Sequence, residues 1–518
     1  MKLNYKRTIL VGFAFFLISA FWQAYGATIP VILTNKFGMS QAWSGVIMAI
    51  DNVLAVFMLP LFGALSDKCR GKYGKRTPFI TVGTVVAAVA LVGLSFVDNA
   101  QLRNISDAAT IDDPAALAVI YDTQADKELL TPEGDAFVLS QVFEKDAFTA
   151  ITCKYEDPQT GKAVNNPDYA NYVAPARQAY AAQRTSANST PLILFVVLLL
   201  VLLVSMATYR SPAVALMPDV TVKPLRSKAN AIINLMGTAG GILVLVLGKV
   251  FSTSSVQNSL MSYNVFYGVV AGIMLGALVI FLLSVREKKW AAQMREDSIK
   301  YGIDEEAKEA SGEKRSLTAG EKKSLILILC SIALWYFGYN AVTSKYSVYA
   351  GNILQKDYNT TLLIAQAAAI VSYLPAGIIA SKLGRKKTIL SGVVLLATAF
   401  GAASFMRPES PTWLMNTLFA MAGIAWATIN VNSFPMVVEM CSGGDIGKYT
   451  GYYYTASMSA QIATPMLSGL LMDLRGMTIL FPYAAIFVAL AFVTMSMVRH
   501  GDSKAEAKKG LEALGGDD

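Results

Sequence analysis

Histidine and charge are both scarce in this chain. A single histidine, His500, stands near the C-terminal end of 518 residues. Imidazole catalysis and a histidine metal centre within the body of the protein are therefore excluded. Four cysteines, Cys69, Cys153, Cys330 and Cys441, are too few and too scattered for a disulfide or zinc framework. Charged residues make up 15% of the chain, where soluble domains carry about a quarter. Hydrophobic residues reach 54% and the mean hydropathy is +0.45. The charge deficit is local, because charges gather in a few segments and nearly vanish between them. The apolar stretches run about 20 residues, the length a helix needs to cross about 30 Å of hydrocarbon. The pattern is that of a polytopic helical membrane protein.

Twelve such stretches are predicted, near 8–33, 42–65, 78–98, 191–213, 229–250 and 263–285, then 323–349, 361–381, 388–406, 412–436, 449–472 and 478–498. The first is too long for the apolar core of a signal peptide and lacks a small-residue cleavage site, so it reads as a span. The formal net charge of +8 does not point to a nucleic-acid partner, because the excess sits in short loops. Lys2, Lys6 and Arg7 precede the first span, and Lys68, Arg70, Lys72, Lys75 and Arg76 follow the second. Lys223, Arg226 and Lys228 follow the fourth, and Lys382, Arg385, Lys386 and Lys387 the eighth. Every second loop is basic, which predicts cytoplasmic termini in a multi-pass protein of the cell membrane. The expected organisation is a six-helix half over 1–285, a mixed-charge cytoplasmic linker over 286–322 carrying a surface helix, a second six-helix half over 323–498, and a cytoplasmic tail over 499–518.

One loop breaks the pattern. Residues 99–190 are far too long for an ordinary connection between spans, and they carry 13 Asp or Glu against 7 Lys or Arg. The segment is predicted to be extracytoplasmic. Residues such as Phe137, Leu139, Phe143, Phe148, Tyr169 and Tyr172 supply enough apolar surface for a small folded cap. A lid, a docking domain for an unknown protein partner and an insertion without a transport role all stay open.

The two halves resemble each other. Pro60-Leu61-Phe62-Gly63-Ala64-Leu65-Ser66-Asp67 ends the second span, and Pro375-Ala376-Gly377-Ile378-Ile379-Ala380-Ser381 ends the eighth, followed by Gly384-Arg385-Lys386-Lys387. Equivalent motifs in two six-span halves are the repeat signature of a transporter whose substrate sits between them. Gly63-x-x-x-Asp67 followed by Gly74-Lys75-Arg76 resembles the loop motif of the major facilitator superfamily. Its expanded spacing, from Asp67 to Gly74, is similar to that of the glycoside–pentoside–hexuronide cation symporters. The sucrose-transporter-like branch matches better still, through Trp22-Gln23-x-Tyr25, Arg210-Ser211-Pro212-Ala213 with Asp219, and Trp335-x-x-x-Tyr339-Asn340. The resemblance covers both membrane halves and not residues 99–190; Ser381 departs from the motif where an aspartate would stand. It implies the major facilitator fold, twelve transmembrane helices in two six-helix pseudo-repeats. It also implies a gate built from Gly63, Asp67, Gly74 and Arg76, with Arg385 as the counterpart in the second half. Within that gate the carboxylate would hold a helix N-terminus, and Asp67–Arg76 would close in the outward-open state and break in the inward-open one. Asp219 and Glu439, at span ends, are candidates for gating or helix capping.

Asp51 is the candidate coupling acid, about ten residues into the second span. An acid inside the membrane is costly unless protonated or paired, and Arg210 or Asn52 could pair with it. In melibiose-type relatives the cation-binding acids of this span stand one and two turns later, where Ala55 and Leu59 stand here. The resemblance therefore favours a co-transported proton over another monovalent cation, and no bound cofactor or metal is expected. Sugars are recognised by aromatic faces and by amides, which nominates Trp22, Gln23, Tyr25, Asn52, Asn234, Trp335, Tyr339, Asn340, Asn430 and Gln461 as substrate-binding residues. Because Tyr339 and Asn340 are adjacent, only part of that pair can face a cavity. The function expected is proton-coupled symport of a disaccharide or glycoside by a monomer in the lipid bilayer. A drug–proton antiporter of the same fold, and a sensor or channel using the insertion, are the alternatives. No catalytic constellation is visible, so an enzyme is not expected.

Overall fold

The computed structural model describes residues 3–156, 161, 163–222, 225–300, 317–438, 440 and 446–500. Among them are twelve long helices. Spans one to six are Tyr5–Asn35, Gln41–Lys68, Thr77–Asn104, Thr190–Val220, Arg226–Val250 and Asn264–Ser284. Spans seven to twelve are Ala319–Tyr349, Tyr358–Leu383, Arg385–Ala403, Thr412–Val438, Ile446–Arg475 and Leu480–Ser496. Among the described residues, ten helices are long and apolar enough to cross a membrane. Spans eight and eleven, of 26 and 30 residues, complete the same bundle. Hydrocarbon offers no partner for a backbone N–H or C=O, so spanning segments close their hydrogen bonds within each helix. Side chains start several of them: Asn4 accepts from the Arg7 amide, Ser40 from Trp43, and Thr318 with Glu321 forms a capping box.

Each half has its own apolar core. In the first, span one packs on five and six, span three on four and six, and span two on four. In the second, span seven packs on eleven and twelve, span eight on ten, and span nine on ten and twelve. The halves meet where two packs on eleven, five on eight and one on seven. The linker begins as a helix, Glu287–Lys300, laid against span four. Its Trp290 ring lies under the Arg7 guanidinium at 4.8 Å.

Several boundaries differ from the sequence reading; span four, for one, runs on to Val220 and not 213. Span three runs on to Asn104, so the insertion is 105–189 and not 99–190. The helix survives its polar end because Asp98 is neutralised by Lys36, whose Nζ lies 2.6 Å from both carboxylate oxygens and 2.7 Å from the Met261 carbonyl. Span seven starts at Ala319, before the expected 323, because the capping box begins the helix ahead of the apolar run.

The insertion is a folded cap. Strands β1 (Glu128–Leu130) and β2 (Ala136–Val138) form one antiparallel hairpin, and β3 (Lys154–Glu156) and β4 (Ala163–Asn165) another. Helices Pro114–Gln124 and Ala174–Ala187 pack on each other, the second also on β1, in a core that buries Leu117, Ile120, Leu139, Phe148 and Val173. A fully buried Leu or Phe contributes about 1.5–3 kcal/mol, enough to hold a small unit docked on a larger one. The cap reaches both halves. Gln178 donates to Asn35 (3.0 Å), and Gln101 of span three to Thr185 (2.9 Å). Asn165 donates to the Gln355 carbonyl (2.9 Å), and the Met477 amide to the Pro132 carbonyl (2.7 Å).

Cys153 sits fully buried in this cap, its thiol 3.0 Å from an Asp112 oxygen. Burial, reinforced by that carboxylate, pushes the thiol up to about 12. The thiolate fraction at pH 8 is then about one in ten thousand, against about a quarter for an ordinary thiol. In the intact protein Cys153 should resist iodoacetamide at pH 8 and label at least 100-fold faster once urea unfolds the cap. Mass spectrometry of the labelled peptide reads this, and equal labelling in both conditions would contradict a docked, folded cap.

Candidate functional site

Trp22 and Tyr25 stand three residues apart on span one and so share a helix face. Their rings meet edge to face at 5.4 Å. The Trp22 Nε1 and the Tyr25 hydroxyl are buried without a partner. The Arg210 guanidinium of span four approaches the Trp22 ring at 5.7 Å. Asp51 of span two is half-buried and accepts a hydrogen bond from Asn52 at 3.0 Å. Tyr25 and Arg210 both lie within electrostatic range of Asp51, yet no described cation comes within 4.0 Å of it. The structure thus brings Trp22, Tyr25, Asp51, Asn52 and Arg210 into one group. Within it a carboxylate and a guanidinium are coupled without being locked together, and two buried donors carry no hydrogen-bond partner.

Gln23 reaches the other way. The Gln366 amide of span eight donates to its carbonyl oxygen across the halves at 2.6 Å, and the Gln366 Oε1 is itself buried and unpaired. In the second half, Tyr339 stacks on Trp426 at 3.6 Å and 5°, with Tyr336 edge-on at 5.2 Å. Tyr373 lies close enough to Tyr339 to interact with it electrostatically. Trp335 corrects the sequence reading: it is wholly buried in the core of this half, and its ring serves packing. Asn340 also turns away, donating to the Tyr336 carbonyl of its own helix at 3.0 Å. Asn234, Asn430 and Gln461 are half-buried, and no side-chain hydrogen bond joins them to either group among the described residues.

At the end of the bundle away from the cap lies a charged cluster. Arg76 is buried and donates to Asp219 (2.8 Å), Asp67, Ser66 and the Gly63 carbonyl. Glu287, at the start of the linker helix, accepts from the Lys75, Arg76 and Thr77 amides and the Thr77 hydroxyl. One expectation fails here: the carboxylate that holds a helix N-terminus is Glu287, not Asp67, whose side chain is 61% exposed. The Asp67–Arg76 pair is made in this structure, and every member of the cluster belongs to the first half or its linker. Gly74 sits at φ +133 with the Glu287 carboxylate against the place a Cβ would take, so a side chain there would be strained and would displace the acid. Gly384, at φ +93, holds the same place before span nine. Arg385 is the first residue of that span, and Glu439 lies outside the described residues.

Two family models match the chain: MFS/sugar transport protein over residues 10–102 and Major Facilitator Superfamily over 328–514. The whole fold is similar to the inward-open xylose transporter XylE from E. coli, with a TM-score of 0.60 and 13% identity over 99% of both chains. The chain belongs to the major facilitator superfamily. A peptide transporter, POT, is similar at a TM-score of 0.57 and 10% identity, over 95% of this chain and 93% of that one. Such likenesses establish the fold alone. Sucrose transport protein SUC4 of Arabidopsis thaliana is 37% identical over 58 residues, 11% of each chain. Proton-associated sugar transporter A of Homo sapiens is 36% identical over 72 residues, 14% of this chain and 9% of that one. The chain thus spans about a tenth of the length of these curated relatives in the matched segments.

On this major facilitator frame, the cap-side ends of the halves are clasped by residues the sequence reading did not select. Lys345 of span seven, fully buried, donates to the Gln41 carbonyl at 2.6 Å. Asp473 of span eleven caps span two by accepting from the Gln41 and Ala42 amides at 2.8 and 2.7 Å. Gly45 and Gly469 let the two backbones touch at Pro465 and Gln41. Between spans five and eight, Tyr358 and Asn359 both donate to Thr253, at 3.0 and 3.1 Å. The Ser40–Gln41 helix start was a legible signal, whereas the partner 432 residues away was not. Asp473→Asn should loosen this closure. A cysteine placed at Ser44, buried beside it, should then react with a water-soluble maleimide several-fold faster than in the parent, and an unchanged rate would remove Asp473 from the clasp. At the far end, Glu287→Ala strips the acceptor from three amides and should cost about 3 kcal/mol, read as a fall in Tm in detergent.

Proposed function

We propose that this protein is a secondary active transporter that carries a sugar, of the disaccharide or glycoside class, together with protons by alternating access. The observation that carries the reading is the Asp51 group. Asp51 lies ten residues along span two from Gln41, about 15 Å at the helical rise, and so well inside the bilayer. A bare carboxylate charge at that depth is costly, and a bound proton or a nearby cation removes the cost. Arg210 within range offsets the charge once the proton has left. Proton occupancy and sugar binding can then share one site, because Trp22 and Tyr25 present their free donors beside the acid. The sugar assignment draws support from the family description over residues 10–102 and from the names of the curated relatives.

The basic loops favour a cytoplasmic side for the Arg76 cluster and the linker, with the cap outside. In that orientation the clasped cap-side ends close the protein to the outside. In proteoliposomes with an imposed proton gradient, sucrose is the first substrate to test. Asp51→Asn should lower accumulation at least tenfold while counterflow exchange persists, since exchange needs no net proton release. Accumulation at the parent level in that variant would remove Asp51 from coupling.

A further inference from the structure

The cap is built onto the first half and only touches the second. The chain joins it to spans three and four, and its helix Ala174–Ala187 lies against the turn after span one. At that turn Gly38 stands at φ +66, and a Cβ there would overlap the backbone of Gln178 and Ala182. Asn35 and Gln101 add the bonds described above, and Arg184 donates to the Asn104 carbonyl at 2.9 Å. Cap and first half therefore form one body.

The β1–β2 hairpin reaches the other way. Its tip, 131–135, is stiffened from within. The Thr131 amide donates to the Asp135 carbonyl (2.9 Å), the Gly134 amide to the Thr131 carbonyl (2.9 Å) and the Asp135 amide to the Thr131 hydroxyl (3.1 Å). Proline is mostly exposed in folded proteins, yet Pro132 at this tip is buried. Its carbonyl accepts from the Met477 amide at 2.7 Å. Met477 opens the short turn Met477–Ile479 ahead of span twelve, where an amide has no partner within its own helix. Beside this bond the two backbones touch. Gly476 stands at φ +82, and a Cβ there would overlap the Glu133 carbonyl. Gly134 stands at φ +100, and a Cβ there would meet the Gly476 nitrogen at 3.0 Å. Both positions need glycine for the same reason, a left-handed backbone at a close approach. The same stretch of the second half is gripped again three residues earlier, where Asp473 caps span two. Residues 473–477 thus hold to span two at one end and to the hairpin at the other.

We propose that the β1–β2 hairpin is a latch that grips the loop between spans eleven and twelve and prolongs the state joined on the cap side. The latch rests on the alternating-access reading, because it needs the halves to part there; it is independent of the sugar and of the proton. Parting gives the Pro132 carbonyl and the Met477 amide to water. One backbone bond of ordinary net strength then shifts the joined-to-parted ratio roughly two- to tenfold.

Ala27 supplies the reporter. It stands on span one, eight residues from Asn35 and so about 12 Å from the cap-side end, and it is buried in the core of the second half. A cysteine there meets a water-soluble maleimide when the halves part. The parent of the series is full-length Ala27→Cys protein in nanodiscs, and mass spectrometry of the peptide holding residue 27 reads the rate. Replacing 131–135 by Asn-Gly shortens the hairpin to a two-residue turn and should raise the rate roughly two- to tenfold. Gly476→Ala should do the same from the opposite partner. A disulfide between Glu133→Cys and Arg475→Cys should lower the rate at least tenfold, and a reductant should restore it. Cys153 should stay protected from iodoacetamide throughout, which reports a folded cap. The latch alone is overturned if the Ala27 cysteine labels in the parent and neither variant nor the disulfide changes the rate. If that cysteine never labels, the halves do not part on this side, and alternating access fails together with the latch.

Discussion

Hydrocarbon cannot hydrogen-bond, and the arrangement of this protein follows from that. Backbone groups close on themselves in helices, and polar side chains must find partners on neighbouring helices or stay unpaired at a cost. Many polar groups inside the bundle are satisfied in this way: Lys36 by Asp98 and the Met261 carbonyl, Lys345 by Gln41, Thr28 by Tyr267, Tyr346 by Thr361. Against that background the open donors of Trp22 and Tyr25 and the free acceptor of Gln366 gain meaning. The first two flank an acid and an arginine that are coupled and unlocked. Buried polarity without a partner is where a ligand has something to gain.

The two ends of the bundle are built differently. On the cap side, hydrogen bonds and backbone contacts run from one half to the other, through Lys345, Asp473 and Thr253. At the opposite end the charged cluster of Asp67, Arg76, Asp219 and Glu287 ties spans two, three and four to the linker helix within one half. The first kind of contact must break for the halves to separate on that side. The second lets a half move as one body.

The cap adds a third party to the closed end. It is anchored to span one through Asn35 and Gln178, and to the second half through Gln355 and Met477. Its folded core was foreshadowed by the aromatic residues of the insertion; its contacts with the second half were not, since they rest on backbone carbonyls of Pro132 and Gln355, which leave no trace in residue identity.

The sequence by itself determined the helices and their number, because about 20 apolar residues between charged loops admit one solution in a bilayer. It also determined the repeated loop from Gly63 to Arg76, echoed at Gly377 to Lys387, and singled out Asp51 as an acid in an apolar run. Only the tertiary structure decided which face of each helix a residue occupies. Trp335 and Tyr339 are four residues apart and looked equivalent, yet one is core and the other stacks on Trp426. Asp67 and Glu287 are both carboxylates beside basic loops, yet Glu287 holds the start of span three across more than 200 residues. Hydropathy records how much of a helix is apolar. Which neighbour a polar group meets depends on packing among distant segments, and a local pattern does not encode it.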